Sequence, residues 1–276
     1  MALFIGYMIG AVRPNAWFRG RVAFSARLKD SAMRLLPALL LAGLAGPAFA
    51  EFDAPPAQIP TLKADGASAE DFAPSGWVVE AKAEGDLDGD PTPDIAFVLR
   101  GTNPALKLKN EGLGPDEVDT NPRIIGVAVA QGAGYRLVAQ NATLIPRNDM
   151  PTRSDPFEDR EFAIARGALK VGLSLFMNAG GWGASTVSFL FRVRDGKLQT
   201  IGYDRSDTQR NSGETETVSV NYLTKKMSRA KGSIETDPSE DKVVWTSLKT
   251  PAPSIEQMGD GLDFEPQPHL GGDGGR

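Results

Sequence analysis

The chain has 276 residues, no cysteine, one histidine, and 35 acidic against 30 basic side chains. Without cysteine there are no disulfides, thiolate nucleophiles or sulfur-ligated zinc, and a lone His269 in a Gly/Pro-rich tail leaves the body without Ser-His catalysis or haem ligation through histidine. Stability must come from an apolar core, and a body of about 200 residues is enough for one domain.

Residues 1–50 read as an N-terminal extension ending in a secretory signal. Met33-Arg34 gives a charged start, Leu35 to Leu44 an apolar run, and Ala48-Phe49-Ala50 a small-x-small cleavage site. The reading places the start at Met33, cleavage after Ala50, and the product in the periplasm or outside the cell. The apolar run is broken by Pro37 and Gly43 and is too short for a permanent membrane anchor. This leader holds six basic residues and one acid, so the remainder carries 24 basic and 34 acidic side chains and a net charge of -10. Such an acidic surface argues against nucleic acid and anionic lipid as partners, because both need clustered Lys and Arg to displace counterions. Cations and a protein or neutral glycan ligand remain.

Residues 51–75 are rich in Ala, Pro, Asp and Ser with few large apolar groups, which predicts a flexible or loosely docked segment ahead of a β domain over 76–249. Within that domain the first feature is chemical. The run Gly85-Asp-Leu-Asp-Gly-Asp-Pro-Thr-Pro-Asp94 packs four carboxylates, Asp86, Asp88, Asp90 and Asp94, into nine residues. They repel one another unless a hard cation is shared, and oxygen-rich loops of this kind suit calcium. Counting Asp86 as position one, carboxylates fall at one, three, five and nine, and the carbonyl of Thr92 at seven is a further oxygen. An EF-hand needs Gly at six and Glu at twelve followed by a helix; Pro91 and Phe97 hold those places, and Ile95 to Leu99 reads as a strand.

At Gly85, Asp86, Leu87, Gly89, Asp90, Asp94 and the strand that follows, with Asp88 in the Asn/Asp place, the chain resembles the calcium loops of FG-GAP and VCBS-type repeats, whose usual form is Gly-Asp-Leu-Asn-Gly-Asp-Gly-x-x-Asp. The resemblance implies an ion bound between adjacent strands, with Asp86, Asp88, Asp90, Thr92 and Asp94 as ligands. Pro91 departs from the pattern, since proline cannot take the positive φ available to the usual glycine. No second Asp-x-Asp-x-Asp occurs in the chain, so a full propeller is excluded. What remains is similar to the secreted bacterial proteins that carry a single such loop, and Phe191-Arg-Val-Arg-Asp-Gly-Lys-Leu-Gln-Thr-Ile-Gly-Tyr203 with Ser219-Val-Asn-Tyr-Leu223 resembles the same group.

Beyond the loop the apolar period is two. Ile95, Phe97 and Leu99 share a face, as do Ile125, Val127 and Val129, then Leu169, Val171, Leu173 and Leu175, then Val187, Phe189, Phe191 and Val193. Asp195-Gly196 predicts a two-residue hairpin turn, and Arg166-Gly167 and Thr224-Lys225 predict two more. No long amphipathic helical stripe interrupts them. The fold expected is all-β, a single-domain antiparallel meander forming a sandwich or curled sheet, with long connections at 102–121, 141–159 and 204–213 and an irregular Pro/Gly-rich tail over 250–276 on which Leu262 and Phe264 are the docking candidates.

Three further features bear on function. Asp155, Glu158, Asp159 and Glu161 form an acidic cluster that is a pair of catalytic carboxylates on one reading and a solvated loop on the other. Trp182, framed by glycines, either stacks on a sugar or caps a hairpin end over the core. Trp77 and Trp245 read as core residues, and Arg192 and Arg194 as an exposed strand face or partners of Asp204 and Asp207. The functional expectation is an exported calcium-binding β domain, its ion mainly structural, with a binding or envelope-associated role. The alternative is a carboxylate- or calcium-dependent enzyme acting on polysaccharide.

Overall fold

The computed structural model describes residues 52–266, so the signal expected at 33–50, Glu51 and the end of the tail with His269 lie outside the described residues. Within them the chain is antiparallel β, as its period-two pattern requires. One sheet holds β1 (Asp65–Gly66), β2 (Trp77–Gly85), β3 (Asp94–Gly101), β6 (Arg123–Gln131) and β7 (Gly134–Asn141) in the order β1-β7-β6-β3-β2. Between β3 and β6 a small ribbon forms from β4 (Lys107–Lys109) and β5 (Glu117–Asp119). The second sheet is an uninterrupted meander of β8 (Phe162–Ala165), β9 (Ala168–Phe176), β10 (Gly183–Arg194), β11 (Lys197–Gln209), β12 (Glu214–Asn221), β13 (Lys226–Ser233) and β14 (Lys242–Ser247). Neither sheet closes into a barrel or propeller.

The turns follow from local sequence. Asp195 and Gly196 have φ of 52° and 70°, and Arg166 and Gly167 have 54° and 70°, the left-handed pairs that let a two-residue turn match the twist of its strands. The third hairpin is wider than expected: Asn221 pairs Lys226, so four residues make the loop, and Lys225 supplies the positive φ.

One face of each sheet contributes to a common core. Ala96, Val98, Ile125 and Val127 from the first sheet join Leu169, Val171, Val187, Phe189, Phe191, Tyr203 and Val218 from the second. Burying a side chain of Phe or Leu size is worth about 1.5–3 kcal/mol, so this cluster is the main stabilising term. The opposite face of the first sheet is buried too. Ile95, Phe97 and Leu99 of β3 and Ile124 of β6 are covered by Leu62, Ala69 and Phe72 of the N-terminal segment. Phe72 stacks on Phe97 with ring centroids 5.1 Å apart, and Phe97 fits because its cross-strand partner is Gly126, where a Cβ would lie 2.2 Å from the ring. Residues 52–75 are thus a cover for the first sheet rather than a loosely docked lead-in. Gln140 Oε1 accepts from the Leu62 N–H at 2.9 Å and Ala64 O from the Leu137 N–H at 2.8 Å, and β1 adds to the sheet edge.

A charged cluster ties the 141–161 connection to this sheet. Arg123 is buried and forks onto Glu80 at 2.6 and 3.0 Å and onto Asp155 at 2.8 and 2.7 Å. Glu80 lies at the register shift between Val79 and Ala81 in β2, a bulge that re-aims its side chain. Burial alone would lower the pKa of Arg123, but its hydrogen bonds and charge pairing with the two carboxylates raise it overall.

Two tryptophan expectations divide. Trp77 packs against the outer cluster of the first sheet, whereas Trp245 is exposed on β14. The connection expected at 204–213 shrinks to four residues because β11 continues as strand to Gln209. Its far half carries Asp204, Arg205, Ser206 and Asp207, polar on both faces, where no apolar alternation marks a strand.

Candidate metal centre

The aspartate loop joins β2 to β3, and both strand ends fix it. At Gly85 a side chain would meet Ile164 of β8 at 2.7 Å, so glycine lets the end of β2 pass close to the second sheet. Leu87 is buried in the common core and anchors the loop from below. Between these anchors the aspartates fold the loop on itself through Asx turns: Asp86 Oδ1 accepts from the Gly89 N–H at 2.6 Å, Asp88 Oδ1 from Asp90 N–H at 3.1 Å, and Asp90 Oδ1 from Thr92 N–H at 2.6 Å. Gly89, with φ of 96°, allows the reversal.

Asp94 is the pivot. It is fully buried at the first position of β3, and its two oxygens accept from the Leu87 N–H at 2.7 Å and the Ala130 N–H at 2.9 Å, tying the loop to β6. Burial pushes its carboxyl above the usual carboxylate range, the two amides pull it back, and Asp88 and Asp90 push it up again. One oxygen from each of Asp86, Asp88 and Asp94 lies within 4.8 Å of the other two. Asp90 is not one of the converging three, and Thr92 is exposed on the loop with its N–H bound to Asp90.

Three ionised carboxylates at that spacing repel by roughly 1–4 kcal/mol per pair, depending on how much water screens them. A shared cation reverses the sign. Calcium takes oxygen ligands at about 2.3–2.6 Å, so two oxygens on one ion are at most about 5 Å apart, and this all-oxygen set fits within that limit.

The other sequence candidates are placed differently. Asp155 is held by Arg123 and Glu161 by Lys170 at 2.5 Å, so both acids already have cationic partners. Glu158 and Asp159 line a shallow depression of about 360 Å³ beside Ser174, Phe176 and Thr186. Trp182 sits at the end of the β9–β10 hairpin but is exposed instead of covering the core, with the Arg210 guanidinium 5.8 Å from its ring and 4.1 Å from that of Phe176. Arg192 donates to the carbonyls of Gly167 at 2.8 Å and Arg166 at 3.1 Å, clamping the β8–β9 turn, and Asp207 is taken by Arg205 and Ser185.

Sequence reasoning passed over a cleft of about 550 Å³ on the core-side face of the second sheet, lined among others by Ser185, Arg205, Asp207, Glu216 and Lys231. Its signal is the same two-residue period that marks Val187, Phe189 and Phe191, continued outward to Ser185 and across the ladder to Asp207 and Glu216.

A scan against protein-family models, a search of curated proteins and a search of solved structures each find no match to this chain.

Proposed function

We propose that this chain is an exported, calcium-stabilised β domain carrying a single FG-GAP/VCBS-type loop, with a binding role toward a protein or glycan. The observation that carries the reading is the convergence of Asp86, Asp88 and Asp94 at the junction of β2, β3 and β6. An ion there offsets the repulsion of three acids and fixes the loop against the core, which is a structural role. The leader at 33–50 supports export, and the acidic surface supports a partner other than nucleic acid. The enzymatic alternative on polysaccharide draws on the 155–161 cluster or the Trp182 region; Asp155 and Glu161 are paired with Arg123 and Lys170, and the depression bordered by Glu158 and Asp159 is not lined by Trp182, so the binding reading is preferred.

Calorimetric titration with calcium tests the reading. Heat is expected from the native chain and none from Asp88→Ala, with circular dichroism showing both folded. At a tenfold excess over the dissociation constant the ion should stabilise the native chain by about 1.4 kcal/mol. Absence of heat and of thermal stabilisation in the native chain removes the metal from the account.

A further inference from the structure

Sheets end in strands whose outward N–H and C=O groups seek partners, and proteins shorten, cover or charge those edges. Most edges here are managed. β1 is two residues long, the ribbon strands β4 and β5 are three each, and β2 and β8 lie against one another where Ile164 meets Gly85. Among the described residues, β14 is an edge strand of six residues paired on one side only, with β13. It also carries three consecutive exposed apolar side chains: Val243, Val244 and Trp245 are 39%, 62% and 56% exposed. Lys242, at one end, is the only charged residue within the strand.

The ladder fixes which backbone groups are free. The Leu248 N–H donates to Lys225 O at 2.8 Å, and paired residues alternate between bonded and non-bonded along an antiparallel ladder. With the register of β13 and β14, the inward-bonded residues are therefore Lys242, Val244, Thr246 and Leu248. Val243, Trp245 and Ser247 direct their N–H and C=O outward.

A second copy approaching about a two-fold axis must set these outward groups against the same groups of its partner, and opposed residues must share a face. With Trp245 opposite Trp245 of the other copy, Val243 faces Ser247, and the flanking Asp241 faces the exposed Lys249 on both sides of the axis. Sliding by one allowed step in either direction loses that charge pairing: Asp241 then faces Ser247 in one case, and Val243 faces Lys249 in the other.

We propose that β14 is an interface for a second copy of this chain, paired antiparallel about Trp245 so that the two seven-stranded sheets become continuous. The contact is small beside a standard interface of roughly 1,600 Å², so the dimer forms in a concentration-dependent way.

The test is sedimentation of the full chain over a concentration series. The weight-average mass should rise from 29.5 kDa toward twice that value. Val243→Pro removes an outward N–H and leaves every bond to β13, so it should stay at the mass of one chain while keeping its β circular dichroism. If that variant does not fold, Trp245→Lys is the substitute and should likewise stay at one mass. Asp241→Lys should weaken the dimer, and adding Lys249→Asp should restore it. A native chain of one mass at all concentrations overturns the proposal and leaves the edge to a foreign strand. A dimer that survives Val243→Pro or Trp245→Lys also overturns it, and failure of the double charge swap to restore association overturns the register.

Discussion

At the scale of single residues, the phenol of Tyr203 shows what burial does when a polar group is kept. It sits in the common core against Phe189 and Phe264, with centroids 5.2 and 5.1 Å away, and its hydroxyl donates to Phe264 O at 3.0 Å. Burial pushes its pKa up to about 12, with the charge of Arg205 opposing, and burial likewise pushes Tyr222 up to about 12. A folded pKa above the unfolded one means the stabilising contribution is complete below about pH 10 and lost as pH rises toward 12. Each ionisation should cost roughly 2–3 kcal/mol across that window, at 1.36 kcal/mol per unit. Urea midpoints of the native chain should therefore fall steeply between these limits, and Tyr203→Phe should flatten the fall. Equal slopes in the native and variant proteins would show that another group governs alkaline unfolding.

Elements follow from such residues only where packing repeats. Phe72 is the clearest case at this scale: a short 3-10 turn at Glu70–Phe72 places it on Phe97, and it closes the outer face of the first sheet. Phe72→Ala should cost about 3–5 kcal/mol, as for other buried aromatics, and should speed hydrogen exchange in β3 and β6 before it does so in β10. Exchange accelerated equally in both sheets would mean that the cover is not a local element. The same contact shows why part of the fold was not legible in the sequence. Val187, Phe189 and Phe191 announce β10 because every second residue meets the core, and Asp195-Gly196 announces its turn because few other pairs tolerate two positive φ angles. Leu62, Ala69 and Phe72 have no common period, so their docking is visible only once the first sheet exists to receive them. The outer halves of β10 and β11 escaped for the converse reason: beyond the reach of the first sheet, Ser185, Arg205 and Asp207 replace apolar residues in the alternation. At the aspartate loop, spacing identified the candidate oxygens, but the separation of roles was not legible. That Asp94 is the buried one depends on Ala130 of β6, 36 residues away.

On the scale of the whole molecule, what joins the two sheets besides the core is the C-terminal stretch from Pro253 to Phe264. Its carbonyls take bonds from both sides: Pro253 O accepts from the Thr200 N–H at 3.0 Å, and Ile255 O and Met258 O accept from the Asn141 side chain at 2.7 and 3.1 Å. Ile255, Met258 and Leu262 are buried, and Phe264 packs edge-on against Phe189. At Gly261 the strap passes so close that a Cβ would lie 2.5 Å from Leu173 and 2.6 Å from Leu144 O, which is why the approach needs glycine. Four apolar side chains at about 1.5–3 kcal/mol each contribute an amount comparable to the 5–15 kcal/mol net stability of an ordinary domain. Ending the chain after Ala252 should thus abolish the cooperative urea transition, with exchange protection lost in β6 and β10 together, because Asn141 and Thr200 lose their partners in different sheets at once. If the shortened chain kept a protected second sheet, the meander from β8 to β14 would be a folding unit in its own right and the strap a late addition to it.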